Sequence, residues 1–442
     1  MGKPMSSERH VTSVRSRAAI AAVLAVTACT ADGTRATPRN NPPTPAVASA
    51  SASPPPPPPP PAAAAPLRLA EFGSIKAMRP KVGPNGVRTR VGCLPDLSAA
   101  TLDKEFKQRI GPMIGWDNPH VYPLGGDRWL WLVHDTYLDY VGGATRLSDG
   151  SPQLQNIALI QNGRCFSILH RGDLTLPTNF EPGVGAVAES SFFWPLGGEL
   201  HRGKLRIFWS NTAWDPALPG PGDGLQRHPL STWIGVYDPL TLERLSFRPA
   251  PNDGVFPQYG FAVASQGRCT YLFGNSNLLN LAREGGFYEG PHSATRTYLA
   301  RVPYGRLRAD PQYRTEHGWS SDPANAVPIS QRFWAANTMQ PRYIDGQWIA
   351  VTKVDEFWGV DVVIDVAEHP WGPWVTVERF RHRQRYRAEL TNSYQPILLP
   401  WRDPSGGLIV VISENAQAWS DAIERPPLYR PAAFTVDWPL PE

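Results

Sequence analysis

Downstream of about residue 68, short runs of β-branched and aromatic residues alternate with Gly, Pro, Asn and Asp. That is the pattern of short strands joined by tight turns. Apolar positions at helical spacing occur only over Leu97–Ile110 (LSAATLDKEFKQRI), which predicts one helix. Among the strand-like runs, one unit recurs. An apolar run meets a Gly-containing turn, and a second apolar run leaves it and ends in Asp or Asn. The instances are VYPLGGDRWLWLVHD, FFWPLGGELHRGKLRIFWSN, FAVASQGRCTYLFGN, PRYIDGQWIAVTKVD and ILLPWRDPSGGLIVVISEN, ending at Asp135, Asn211, Asn275, Asp355 and Asn415. Further runs sit between them: NIALIQNGRCFSIL, TWIGVYDP, TYLARVP and DVVIDVAEHPWGPWVTVERF. Each reads as the outer strands of the preceding unit. The spacing leaves room for a four-stranded blade per unit, which needs roughly 40–50 residues. Five units predict an all-β, five-bladed β-propeller over residues 68–442. A β-helix would repeat at a shorter period, and two sandwiches would not give five similar hairpins.

The first 67 residues read differently. Residues 1–17 are polar and basic, and Ala18–Ala28 is an apolar stretch too short to span a bilayer. It runs into Val26-Thr27-Ala28-Cys29, which resembles a bacterial lipobox with Cys29 as the lipidated residue. The alternative is a secretory signal cut near Ala28. Residues 1–28 are therefore expected to be a lipoprotein-type signal peptide. Residues 29–67, rich in Pro, Ala and Ser with Pro54–Pro61 unbroken, are expected to be a disordered spacer. The exported chain would be anchored at the cell envelope through lipid alone, or secreted. No run of 18 apolar residues exists, so no spanning helix is expected.

Charge narrows the partners. The chain carries +4, of which the signal segment supplies +3 (Lys3, Arg9, Arg15 and Arg17 against Glu8), so the remainder is +1. A near-neutral domain does not fit a nucleic-acid binder, which needs a clustered basic face. Export permits disulfides, and Cys93, Cys165 and Cys269 remain beyond the signal. The pair expected is Cys93–Cys165, leaving one free thiol. No zinc-ligand spacing occurs, so neither a metal nor a cofactor is expected.

If the units are blades, the residues entering each first strand line a central funnel. They are Trp116-Asp117-Asn118, Glu189, Gln258-Tyr259, Asn337 and Asn392 with Tyr394. Carboxylates among amides and phenols suit sugar chemistry. One carboxyl protonates the leaving oxygen, and a second carboxylate attacks or activates water. The bland readings are a strand-end Asp capping its own turn and a Trp or His packed in the core. Asp127, Asp345 and Asp403 read as turn residues. Gly198–Leu205 has P-loop glycine spacing but ends in Leu within a hairpin, so it lacks the magnesium-binding hydroxyl. Pro370–Trp374 (PWGPW) reads as a rigid outer turn.

The segments Gly115-Trp116-Asp117 and His134-Asp135-Thr136 resemble those that carry the two aspartates of glycoside hydrolase family 183. These are actinobacterial endo-D-arabinofuranases on a five-bladed propeller, formerly called DUF4185. Phe193-Trp194-Pro195, Tyr298–Pro303, Pro370–Trp374, Tyr394 and Asn415 extend the likeness over nearly all of 110–437. The resemblance implies a surface glycoside hydrolase acting on furanose-rich cell-wall polysaccharide, D-arabinan above all, with Asp117 and Asp135 catalytic. Trp116, Asn118, His134, Glu189, Tyr259, Asn392 and Tyr394 would hold sugar, and the chain would act as a monomer. Two departures stand out. Trp116 replaces Thr, and His134 replaces Gly, which would either narrow the pocket or set a cation beside Asp135 and depress its pKa. The alternatives are a non-catalytic carbohydrate-binding lipoprotein on the same scaffold, or a scaffold presenting the loop Asn275–Thr297 to partner proteins.

Overall fold

The computed structural model describes residues 78–182, 191–214, 227–251, 253, 257–275, 296–330, 340–353, 361–382 and 390–438. Cys29, Glu189, Asn337 and most of the loop after Asn275 lie outside the described residues, as do the signal and spacer segments.

The strands fall into five sheets. Sheet 1 holds β1 (Arg79–Gly83), β2 (Gly86–Cys93), β3 (Met113–Gly125), β4 (Arg128–Leu138), β5 (Leu154–Asn162), β6 (Cys165–Gly172) and β7 (Pro177–Thr178). Between β2 and β3 lies α1 (Ala99–Phe106), within the predicted helical run and capped by the Ser98 side chain. Sheet 2 holds β8 (Ser191–His201), β9 (Lys204–Trp214), β10 (Arg227–Tyr237) and β11 (Arg244–Pro249). Sheet 3 holds β12 (Gln258–Gln266), β13 (Cys269–Asn275), β14 (Thr297–Pro303), β15 (Gln312–Thr315) and β16 (Gly318–Ser320). Sheet 4 holds β17 (Arg342–Ile344), β18 (Gln347–Lys353), β19 (Asp361–Ala367) and β20 (Val375–Arg381). Sheet 5 holds β21 (Thr391–Arg402), β22 (Leu408–Ala416) and β23 (Ala432–Val436), with α2 (Trp419–Glu424) before β23.

Each of the five predicted hairpins is an antiparallel pair: β3–β4, β8–β9, β12–β13, β17–β18 and β21–β22. The turns obey local chemistry. Asp345-Gly346 joins β17 to β18 with φ of 51° and 83°, as a two-residue type I′ turn requires. Arg202-Gly203 does the same within the segment that imitates a P-loop, at φ of 47° and 66°.

Side chains alternate across each strand, so one sheet feeds two interfaces. On β9, Ile207 and Trp209 pack with Leu130 and Leu132 of sheet 1, whereas Phe208 packs with Tyr259 and Leu272 of sheet 3. Similar apolar clusters join sheet 3 to sheet 4 through Phe273 and Trp348, and sheet 4 to sheet 5 through Ile364 and Val410. Sheet 5 joins sheet 1 through Ile409 and Trp131. The sheets therefore follow one another round a closed circuit, the arrangement of a propeller. The expectation of five like blades needs correction. Four sheets have four strands or more, and the last has three.

Cys93 and Cys165 face each other across β2 and β6 and are joined by a disulfide. The free thiol expected at position 269 is corrected, because Cys269 is also disulfide-bonded. No described helix is long and apolar enough to cross a membrane.

Candidate active site

The first strand of each hairpin begins, and the second ends, at the same end of the circuit. At that mouth the pairing of β3 with β4 breaks register around Gly115, Asp117 and His120. Such bulges re-aim side chains. Asn118, Asp135 and Gln395 hold φ values of 49°, 31° and 45° there, three of the six described non-glycine residues in the left-handed region. Such residues are uncommon and concentrate at functional sites.

Asp117 and Asp135 are both buried, at 6% and 7% exposure. The Tyr394 hydroxyl, from sheet 5, donates to Asp117 Oδ2. The Trp194 indole N–H, from sheet 2, donates to Asp135 Oδ1 at 3.3 Å. Burial raises the pKa of Tyr394 well above the usual phenol value; the Asp117 charge and hydrogen bond add to this, and the Asp135 charge follows. Tyr429 is raised in the same way by burial and then by both aspartates. Two phenols thus sense both carboxylates, which places the acids in one neighbourhood, and both phenols stay protonated. An un-ionised Tyr394 donates its proton to Asp117 and favours the carboxylate form.

Asn118 and His134 build the frame. The Asn118 backbone N–H donates to Ser413 Oγ at 2.7 Å, tying sheet 1 to sheet 5. Its side-chain Nδ2 meets His134 Nδ1 at 3.1 Å, while His134 Nε2 meets the Pro195 carbonyl at 3.2 Å. The Pro195 carbonyl can only accept, so Nε2 carries a hydrogen. The His134 ring stacks between His120 and Trp194, with centroids 5.4 Å away on each side. Both ring nitrogens of His134 are thus engaged inside the protein. His134 orients Trp194, and through it Asp135.

Other expected contacts fall elsewhere. Trp116 is fully buried against Phe106 of α1, with ring centroids 5.0 Å apart, and belongs to the core. Tyr259 is fully buried beside Tyr313, and burial raises its pKa. Neither reaches the mouth. Asn392 does, lying opposite Asn415 across β21 and β22.

A ring of amides surrounds the acids. Asn118 Oδ1, Asn211 Oδ1, Gln258 Oε1, Asn392 Nδ2 and Asn415 Oδ1 are all buried without a hydrogen-bond partner. They come from sheets 1, 2, 3 and 5, each at the mouth end of its strand. Buried polar groups are nearly always satisfied, so this cluster makes the mouth a candidate place for a ligand or ordered water to supply the partners. Trp194, Ser413 and Tyr429 were missed as site residues by sequence reasoning. Trp194 and Ser413 lie on strands already predicted, but Tyr429 follows a short turn with no periodicity to reveal it. Among the described residues no group of three or more His, Cys, Asp and Glu could hold a metal.

Pro370–Trp374 stands at the outer edge, as expected. Arg314 covers the Trp371 ring at 5.3 Å, and His369 stacks on it at 4.8 Å, so its faces are occupied.

The fold and this mouth define an all-β protein of propeller type with a buried acid pair. A family model described as domain of unknown function DUF5005 matches residues 102–437, and the chain belongs to that family. No curated protein matches it. A crystal structure of a "putative hydrolase" from Bacteroides ovatus is similar at 14% identity and a TM-score of 0.57, covering 81% of this chain and 93% of that one. The likeness is one of fold. A mutant GH43 protein from Bacillus licheniformis matches at 12% identity and a TM-score of 0.43, covering 74% of this chain and 53% of that one. A GH43 enzyme from Xanthomonas citri in complex with xylose matches at 10% identity and a TM-score of 0.41, covering 73% and 88%.

Proposed function

We propose that the protein is a glycoside hydrolase acting on a furanose-rich cell-wall polysaccharide, with D-arabinan as the first substrate and Asp117 and Asp135 as the catalytic pair. The observation that carries this reading is the combination at the mouth. Two buried carboxylates share two phenols and are ringed by buried amides with unmade hydrogen bonds. Sugars are dense in hydroxyls that donate and accept, so amide groups of both kinds suit them. The resemblance to family 183 at Asp117 and Asp135 supports the same pair.

Tyr394 favours ionised Asp117, which takes the role of base or nucleophile. By elimination Asp135, the other member of the pair, takes the role of acid. Asp135 passes its proton to the glycosidic oxygen as the bond to the anomeric carbon breaks. Asp117 attacks that carbon or deprotonates the attacking water. With one group required ionised and one protonated, the rate is bell-shaped in pH.

The test is incubation of the purified protein with D-arabinan. Release of oligosaccharides, lost in Asp117→Asn and Asp135→Asn, is the expected result. An intact polymer, or rates unchanged in both variants, removes the assignment. Binding without release would leave a carbohydrate-binding protein on the same scaffold. In this reading sheet 5 is the fifth blade of the propeller. Residues 1–28 export the chain, and residues 29–67 act as a spacer ahead of the folded domain.

A further inference from the structure

A second polar feature lies at the other end of the strands. Arg206 of β9 stands near the hairpin turn, five residues before Asn211 at the mouth, or roughly 17 Å along an extended strand. Together with Arg306 and Arg308, on the turn that follows β14, it lines an open groove of about 400 Å³ between sheets 2 and 3. Leu307 and Gly305 complete the wall. Arg248 of β11 lies outside the lining but within electrostatic reach of Arg308. The pKa of Arg308 is lowered by burial, then by the charges of Arg248 and Arg206, so the groups are near enough to repel one another.

Among the described residues, no carboxylate forms an ion pair with any of the four. Glu199 lies opposite Arg206 in register and its carboxyl feels the Arg206 charge, but it forms no ion pair, and its hydrogen bonds are from Thr270 at 2.7 Å and Ser265 at 3.1 Å. Asp310, two residues after Arg308, makes no such pair among the described residues either. The guanidiniums reach only carbonyls. Arg206 Nη1 donates to His201 and Lys204, at 3.2 and 3.3 Å, and Arg308 Nη2 approaches Ile234 at 3.5 Å. Gathering like charges is unfavourable unless an anion neutralises them. Planar guanidinium forks match the oxygens of phosphate two at a time.

We propose that this groove binds a phosphate group, on the opposite face of the propeller from the acid pair. The group is either free phosphate or a phosphate ester carried on a saccharide. The site is independent of the hydrolase reading and stands or falls separately.

The test is calorimetric titration of the full chain at low ionic strength with inorganic phosphate and with glucose 6-phosphate. Glucose and sodium chloride at matched ionic strength are the controls. Saturable one-site binding of phosphate is expected, weakened at least tenfold in Arg206→Gln/Arg308→Gln. Glucose 6-phosphate binding at least tenfold tighter than inorganic phosphate identifies a saccharide-borne ligand. Equal affinities identify phosphate alone, and both outcomes support the site. Should the double variant fold poorly, Arg308→Gln, at an exposed position, gives the same reading with a smaller loss. No saturable binding, an equal response to chloride, or undiminished binding by the variants would overturn the proposal.

Discussion

Two buried acids show how differently one fold can hold a carboxylate. Glu181, 1% exposed, follows β7 and closes against sheet 2. It accepts from Tyr237 Oη and Arg244 Nη1, each at 2.7 Å, and its backbone is clamped by Asn156. Asp117, 6% exposed, has a phenol instead, with a second acid in the same neighbourhood and unmade amide bonds around it. A cation neutralises Glu181 and leaves it nothing further to do. At the mouth the described partners of the acids are the Tyr394 hydroxyl and the Trp194 indole, which in the proposed reading leaves the pair reactive. Burial alone therefore does not mark the functional acid; the chemistry of its partners does.

The contrast can be broken at several points. The largest effect is expected from Asp117→Asn or Asp135→Asn, each lowering turnover of arabinan by roughly 10²–10⁴-fold with the fold retained. Circular dichroism and rate measurements on the same samples check this. Next is Glu181→Gln, which leaves Arg244 beside an uncharged partner. With Glu181 buried and Arg244 partly exposed, the loss is about 2–3 kcal/mol in urea unfolding, with turnover per folded molecule unchanged.

Tyr394→Phe removes the proton donor to Asp117. The acidic limb of the rate profile then moves to higher pH, and turnover at its acidic side falls about tenfold. An unmoved limb would mean that the phenol only packs. The smallest effect concerns His120, whose pKa burial and then the neighbouring His134 lower well below 6.5. Below its ordinary value the unfolded chain takes up a proton that the folded state refuses. The stability this histidine contributes is present at neutral pH and is lost as pH falls, by about 1 kcal/mol between pH 7 and 5.5. His170 is lowered by burial and adds to the same slope. Urea midpoints at the two pH values should converge in His120→Gln without meeting.

The hairpins could be read from the chain because period-two alternation and Gly-containing turns are local signals. Position within a mouth is not local. Trp116 and Asp117 are neighbours, yet the breaks in β3–β4 pairing send one ring into the core beside α1 and one carboxylate to the mouth. Tyr259 enters its strand as Asn392 does. It is nevertheless drawn into the apolar contact between sheets 2 and 3, where β12 breaks register before Ala262. Counting residues from a strand start cannot anticipate such a break. Tyr429 reaches the acids from outside the repeat altogether. The strand count of the last sheet escaped for a similar reason, since nothing in the spacing distinguishes a three-stranded unit from a longer one.

The central claim is that Asp117 and Asp135 work as one unit, and the turnover of Asp117→Asn/Asp135→Asn, set against each single variant, tests it most directly. Residues acting together lose most of their effect at the first substitution. The double variant is therefore expected to be no slower than the slower single one. If the two losses multiply instead, the acids act independently and the shared site is contradicted.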